Sequence, residues 1–227
     1  MKDEDMKKTF VSVLMLTVAC ISFTPHVQAR VSFEATPASV MVQDISAAQA
    51  NDQIGKGAQN FIDGMGQRAI GFLGNSSLSI SQKQSEFRKL LRSSFDMKTI
   101  GRFALGRNWN VATPDQQREY QMLFEDMVVD VYSNRFNDYK GQKFDVQSFR
   151  RDGDKDTMVT SYIVPDAGEK IQVDWRVRYK DSTYKIVDVI IEGVSMSVTQ
   201  RSDFASVIQR GGGSIQVLLS HLREKRQ

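Results

Sequence analysis

Cysteine, histidine and proline are scarce in this 227-residue chain: one Cys, two His and four Pro. Cys20 and His26 fall in an N-terminal segment that reads as removable, so residues 30–227 carry no cysteine and a single histidine, His221. Without a disulfide staple the core has to be held by burial. There is no cysteine nucleophile, no zinc site built on Cys or His, and almost no room for a Ser-His-Asp triad. His221 sits in LLSHLREKR, at a polar slot of a C-terminal helix. Charge of one sign is also lacking: 30 Lys+Arg against 27 Asp+Glu give +3, a balance that does not ask for a nucleic-acid partner. Long apolar runs are equally few. The uncharged stretch Phe10–Phe23 covers 14 residues, short of the about 20 a membrane-spanning helix needs.

That stretch follows Met6-Lys7-Lys8 and precedes Val27-Gln28-Ala29, which offers small residues at the −3 and −1 positions of a cleavage site. Basic, apolar, small is the order of a secretory signal peptide, so residues 1–29 are expected to be removed and the rest exported. The acidic Asp3-Glu4-Asp5 is unusual in such a leader and points to Met6 as the start. Ala19-Cys20 allows a lipidation site, although Thr17 stands where an aliphatic residue is expected. The remainder is 41% hydrophobic and 25% charged over the whole chain, ordinary globular values that exclude disorder.

Residues 30–227 read as one domain: helical over 44–139, sheet over 142–198, helices again over 201–225. Residues 31–43 look extended. From Asp44 to Leu73 apolar residues recur at helical spacing (Ile54, Ala58, Phe61, Ile62, Met65, Ala69, Phe72), but Gly55, Gly57, Gly64 and Gly66 predict a break near 51–57. Ser81 with Gln84 forms a candidate capping box for the next helix, and Asp96 caps a short one. Thr113-Pro114-Asp115 is the clearest start signal: a cap oxygen, a proline at the first helical position, and an acid at the positive end of the dipole. The helix it opens is expected to reach Tyr139, with a broad stripe of Tyr120, Phe124, Val128, Val131, Tyr132 and Phe136. Beyond Gly141 the period becomes two in four segments joined by DGDKD, PDAG and KDS, the pattern of an antiparallel meander. In the third segment Ile171, Val173, Trp175, Val177 and Tyr179 share one face, and Gln172, Asp174, Arg176, Arg178 and Lys180 the other. A helix over 203–209, a triple-glycine break and a helix over 214–225 finish the chain. The fold class is therefore α+β: a curved antiparallel sheet covered by helices.

Candidate chemistry is thin. DGDKD imitates the start of a calcium loop, but Thr157 and Ile163 stand where Gly and Glu are needed, so it reads as a hairpin and no metal site is expected. Asp188 and Glu192 lie four apart on a strand, on one face unless a bulge intervenes, and could serve as paired carboxylates of an isomerase. Nothing else in the chain completes such a site, so no catalytic residue and no cofactor are assigned. Arg150, Arg151, Arg176, Arg178 and Lys180 alternate outward on strands and read as a solvated face. Arg107 and Arg201 could hold a phosphate head group or form structural ion pairs.

From Phe95 onward the sequence resembles the MlaC family, the periplasmic phospholipid-binding components of bacterial ABC-type lipid transport systems. The resemblance rests on FDMKTIGRFALGRNW (95–109), ATPDQQREYQMLF (112–124), YKGQKFDV (139–146), VDWRVRYKDSTYKIVDVIIEGVSM (173–196) and RSDFASVIQRGG (201–212). GRFALGRNW is equally compatible with the hopanoid-associated HpnM branch. Residues 30–90 match weakly, and Val198-Thr199-Gln200-Arg201 departs from the family's usual Asn-Tyr-Arg. The resemblance implies a cone-like, NTF2-like sheet enclosing an apolar cavity. It also implies a periplasmic carrier that takes phospholipid between a membrane-bound ABC transporter complex and an outer-membrane lipoprotein complex. On that basis the lining is expected from Trp109, Phe124, Val128, Val131, Tyr132, Phe136 and Tyr139 on helices and from Val173, Trp175, Val177, Val189 and Ile191 on strands, with Phe204 closing the mouth. Met127, Met158 and Met196 suit a lining that adapts to variable chains. The competing readings are a binder of another apolar molecule such as a hopanoid or quinone, an isomerase or hydrolase using Asp188 and Glu192, and an exported protein-interaction module.

Overall fold

A computed structural model describes residues 38–224; the expected leader and cleavage site lie outside the described residues. The elements in chain order are α1 (Ala38–Leu73), α2 (Ile80–Ser94), α3 (Met97–Leu105), α4 (Asn108–Val111), α5 (Pro114–Ser133), a 3-10 turn (Phe136–Asp138), β1 (Lys143–Asp152), β2 (Asp156–Val164), β3 (Ile171–Lys180), β4 (Thr183–Ile191), β5 (Val194–Ser195), α6 (Met196–Arg210) and α7 (Ile215–Glu224). No helix among the described residues is long and apolar enough to cross a membrane.

The sheet is an antiparallel meander in the order β1-β2-β3-β4-β5. Its β3–β4 turn places Asp181 and Ser182 in the left-handed region (φ 50° and 59°), as a two-residue hairpin requires. Two bulges decide which side chains face inward. One lies between Val146 and Ser148 on β1, so Phe149 joins Phe144 and Val146 on the apolar face instead of pointing out. The other shifts β4 against β3 beyond Arg176, so Tyr184, Ile186 and Val189 share that face although strict alternation forbids it.

Two separate apolar clusters result. The first is entirely helical. Ala104, Leu105, Tyr120, Leu123, Phe124, Phe204, Ile208 and four residues of α7 pack together, with Tyr120 fully enclosed. Its ring stacks on Phe124 at 5.8 Å and meets Phe204 edge-on at 5.9 Å, while its hydroxyl donates to the Gly101 carbonyl at 2.9 Å. Burial pushes that phenol far above its ordinary range, so it stays a neutral donor. The second cluster lies on the sheet. Ala58, Ile62 and Met65 of α1 cover Val159, Val177 and Ile186, with Leu90 beside them. The layers are joined by α2, whose Arg88 reaches Glu125 (3.2 Å) and Asp126 (2.6 Å) of α5, and by the Asp96 amide, which donates to the Ile186 carbonyl (2.9 Å).

Several boundaries differ from the sequence expectation. Residues 38–43 are helical rather than extended, and α1 runs unbroken to Leu73 in place of a break at 51–57, because Gly55 and Gly57 are pressed against sheet side chains and tertiary contact outweighs their poor propensity; the rest of the expected extended stretch lies outside the described residues. The capping box is Ser79 with Gln82, two residues before Ser81 with Gln84; both pairs have the same spacing, and only the extended backbone at Ser79 chooses between them. The Thr113 cap is as expected, with Gln116 completing a box, but α5 stops at Ser133 rather than Tyr139, where Phe136 turns inward on a 3-10 turn. α6 starts at Met196, capped by Ser195, so 196–202 are helix rather than strand end or linker.

Removing the Tyr120 hydroxyl isolates one buried acceptor while leaving the ring stack in place. Tyr120→Phe is expected to cost about 1–2 kcal/mol, read as a lower urea midpoint with an unchanged slope.

Candidate functional site

The apolar face of the sheet is covered by α1, with Leu90 of α2 and Phe95 beside it. Along α1 the enclosed positions are Gly55, Ala58, Ile62, Met65 and Gly66, at steps of three and four. The stripe meets the aromatic walls with glycines, while Ile62 and Met65 pack in one cluster with the sheet residues. A Cβ on Gly55 would overlap the ring of Phe149, one on Gly66 the ring of Phe144, and one on Gly57 the hydroxyl of Tyr184. Phe144 and Phe149 come from β1 and Tyr184 from β4, so the helix lies in a trough with aromatic walls and a floor of Val159, Val177 and Trp175. Phe61 stacks on Tyr184 at 5.9 Å, and Phe144 meets Trp175 edge-on at 6.1 Å. Trp175 turns its indole N–H to the Ser161 hydroxyl (2.9 Å), which in turn donates to the Val173 carbonyl (3.2 Å), so the one polar spot of the trough is satisfied.

Polar attachment of α1 to its surroundings is sparse. Gln59 donates to the Gln147 carbonyl at the β1 bulge (3.3 Å), and Arg68 to the Ser94 hydroxyl (3.1 Å). The helix is therefore held over the trough chiefly by burial and close contact, which are non-directional and can be replaced by any other apolar occupant.

The expected lining residues divide between the two clusters. Trp175, Val177 and Val189 lie in the trough. Trp109, Phe124, Val128 and Phe204 belong to the helical cluster, which holds no sheet residue. The long aromatic helix α5 thus does not form the wall opposite the sheet; α1, where the sequence signal was weakest, does. Phe136 is buried against Phe72 and Phe87 (6.1 and 5.5 Å) between α1, α2 and α5, and Tyr132 lies 6.4 Å from Phe87. Val131 and Tyr132 are largely exposed, Tyr139 and Ile191 half-buried, and Val173 buried at the polar end of the floor. The residues that sequence reasoning missed, Phe144, Phe149, Tyr184 and the α1 stripe, share one signal: glycines 55 and 66, three helical turns apart and able to accept rings.

Asp188 and Glu192 are not brought together. Asp188 lies on the outer face, 4% exposed, accepting from the amides of Val189 (2.9 Å) and Ser197 (3.2 Å), the Ser195 hydroxyl (2.7 Å) and Arg176 (3.4 Å). It fastens the start of α6 to β4. Glu192 sits beyond β4 in a left-handed turn (φ 48°) and accepts from the Gln172 amide at 2.5 Å. In DGDKD, Asp152 pairs with Arg176 (2.5 Å) and Asp156 with Arg178 (2.7 and 2.8 Å), and no cluster of metal-ligating groups occurs among the described residues. Arg201 lies over the Phe103 ring at 5.3 Å.

The architecture is that of an α+β domain whose curved antiparallel sheet is closed on its apolar face by a helix. The chain belongs to the MlaC family: the family profile described as MlaC protein matches residues 65–224, which include the whole sheet and the helical cluster but only the last part of α1. Its sequence is similar to the toluene tolerance protein ttg2D of Pseudomonas putida, 25% identical over 104 residues, 46% of this chain and 48% of that protein. The chain thus spans about half the length of that curated relative. Its fold is similar to that of the phospholipid-binding protein from Ralstonia solanacearum, solved in complex with a phospholipid, with 26% identity, a TM-score of 0.65, and coverage of 74% of this chain and 96% of that one.

Two outcomes check this geometry. Gly55→Ala/Gly57→Ala/Gly66→Ala improves helix propensity by roughly 1 kcal/mol per site, yet it should loosen α1 by displacing three rings; amide exchange is expected to accelerate across 55–69 while α5 is unchanged. Asp188→Ala leaves Arg176 without a buried partner and two amides unpaired, and should lower stability by about 3 kcal/mol in chemical denaturation.

Proposed function

We propose that this protein is a periplasmic phospholipid carrier of an ABC-type transport system, which shields acyl chains in the trough between α1 and the sheet. Family membership and the phospholipid held by the related Ralstonia protein support the reading. The observation that carries it is the cover itself: an apolar, aromatic-walled trough closed by a helix that meets the walls with glycines and is held by few hydrogen bonds.

The energies are matched. Withdrawing α1 exposes mainly Ile62 and Met65, about 5 kcal/mol at 1.5–3 kcal/mol per large apolar side chain. Burying about ten methylenes of an acyl chain in their place returns about 8 kcal/mol at 0.8 each. The sheet face stays covered either way, so helix and lipid can trade places at little net cost. Trp175, Val177 and Val189 line this trough together with Phe144, Phe149 and Tyr184; Trp109, Phe124, Val128 and Phe204 serve as packing for the helical layer. No catalytic step is required, and Asp188 and Glu192 are engaged in holding the β4–α6 junction. Export follows from the leader-like residues 1–29, and the docking partners are a membrane ABC complex and an outer-membrane lipoprotein complex.

Protein recovered from the periplasmic fraction is expected to start at Arg30 and to release close to one phospholipid per chain in native mass spectrometry; a lipid-free protein in every preparation overturns the carrier reading, and a hopanoid in place of phospholipid assigns the chain to the other branch. Bridging Gln59→Cys to Gln147→Cys with a short bis-maleimide should reduce lipid uptake at least about tenfold, since the trough then cannot open.

A further inference from the structure

At one end of the trough, the β1–β2 and β3–β4 hairpin ends and α1 enclose a second cleft. Its volume is about 500 Å³ and it is lined by Asn51 and Ile54 of α1, by Arg151, Asp154, Lys155, Asp156 and Thr157 of the first hairpin, and by Arg178, Tyr179 and Lys180 of β3. Four cationic side chains face two carboxylates here. Asp156 is taken by Arg178, whose guanidinium it holds further toward the charged form by hydrogen bonding. Arg151 is fixed across the hairpin, donating to the carbonyls of Gly153 (3.5 Å) and Asp154 (3.1 Å). Neither Lys155 nor Lys180 has a hydrogen-bond or ion-pair partner among the described residues. Asp181 follows Lys180 at the turn, and Asp52 on α1 is engaged by Lys56 at 2.6 Å.

The cleft adjoins the trough. Ile54 precedes Gly55, which rests on Phe149, and Tyr179 lies 4.6 Å from Tyr184, which stacks on Phe61. Burial, and then the neighbouring Tyr179, raise the Tyr184 phenol, so this aromatic path carries no charge at neutral pH. A pocket with two unpaired ammonium groups at its rim and an apolar path behind it suits an amphiphile with a negative head.

We propose that this cleft is a phosphate-binding site that takes the head group of an acidic phospholipid, with Lys155 and Lys180 as the contacting cations and Arg151 setting the field. The proposal rests on the carrier reading for the chains that follow the head. Ammonium groups act as point charges on phosphate, so the effect should appear as a preference between net-negative and zwitterionic lipids of equal chain length.

The test uses the delipidated full chain, vesicles containing equal phosphatidylglycerol and phosphatidylcholine, and mass spectrometry of the lipid acquired. The native sequence should take up phosphatidylglycerol at least about fivefold over phosphatidylcholine, with the ratio falling in high salt. Lys155→Glu/Lys180→Glu should bring the ratio to one or below. An unchanged ratio in the variant, or no preference in the native protein, overturns the site and leaves the carrier reading standing; no lipid of either kind overturns the carrier reading. A second arm adds inorganic phosphate and follows backbone amide shifts: movement confined to 151–157 and 178–180, lost in the variant, shows that the cleft takes phosphate without a lipid attached. Absence of shifts together with an unchanged lipid ratio rejects phosphate recognition outright.

Discussion

The apolar face of the curled sheet cannot be left to water, and most of the structure answers to that. Phe144, Phe149, Trp175 and Tyr184 together expose a surface that no strand edge or loop here could hide. A helix lies in the trough, and where the Phe144, Phe149 and Tyr184 walls come closest only glycine fits on its inner side. The glycines at 55, 57 and 66 are therefore poor for the helix and good for the interface, and the interface wins because burial of rings outweighs about 1 kcal/mol of propensity per site.

The second cluster makes this arrangement usable. Helices α3, α5, α6 and α7 bury their own rings around Tyr120 and do not depend on α1. Asp188 and the Asp96–Ile186 contact fasten that layer to β4 from the side. A core that stands without the trough allows the trough's cover to move without unfolding the domain. Charge follows the same division: acidic groups are consumed in cross-links such as Arg88–Glu125, Arg176–Asp152 and Arg178–Asp156, while Lys155 and Lys180 line the cleft at the hairpin ends.

Much of this site was not legible in the sequence. Trp175 and Val177 could be placed on the inner face by alternation alone. Phe149 and Tyr184 could not, since each depends on a bulge that resets the period, and a bulge leaves no mark in residue types. The stripe on α5 has the right width to face a sheet, but a stripe does not name its partner, and α6 and α7 compete for it successfully. Asp188 and Glu192 share a face only if the strand continues straight, and it does not.

Local chemistry determined what local chemistry can: the α+β order, the four main strands, the Thr113 and Asp96 caps, the glycine break before α7, and the exclusion of disulfide and cysteine chemistry beyond Cys20. Those features depend on residues within a few positions of one another. Tertiary structure alone decided that α1 and not α5 covers the sheet, that its glycines meet rings across more than 75 residues of chain, and that two hairpin ends bring Lys155 and Lys180 to one cleft. Contacts of that range are fixed by the packing of whole elements, which no spacing along the chain records.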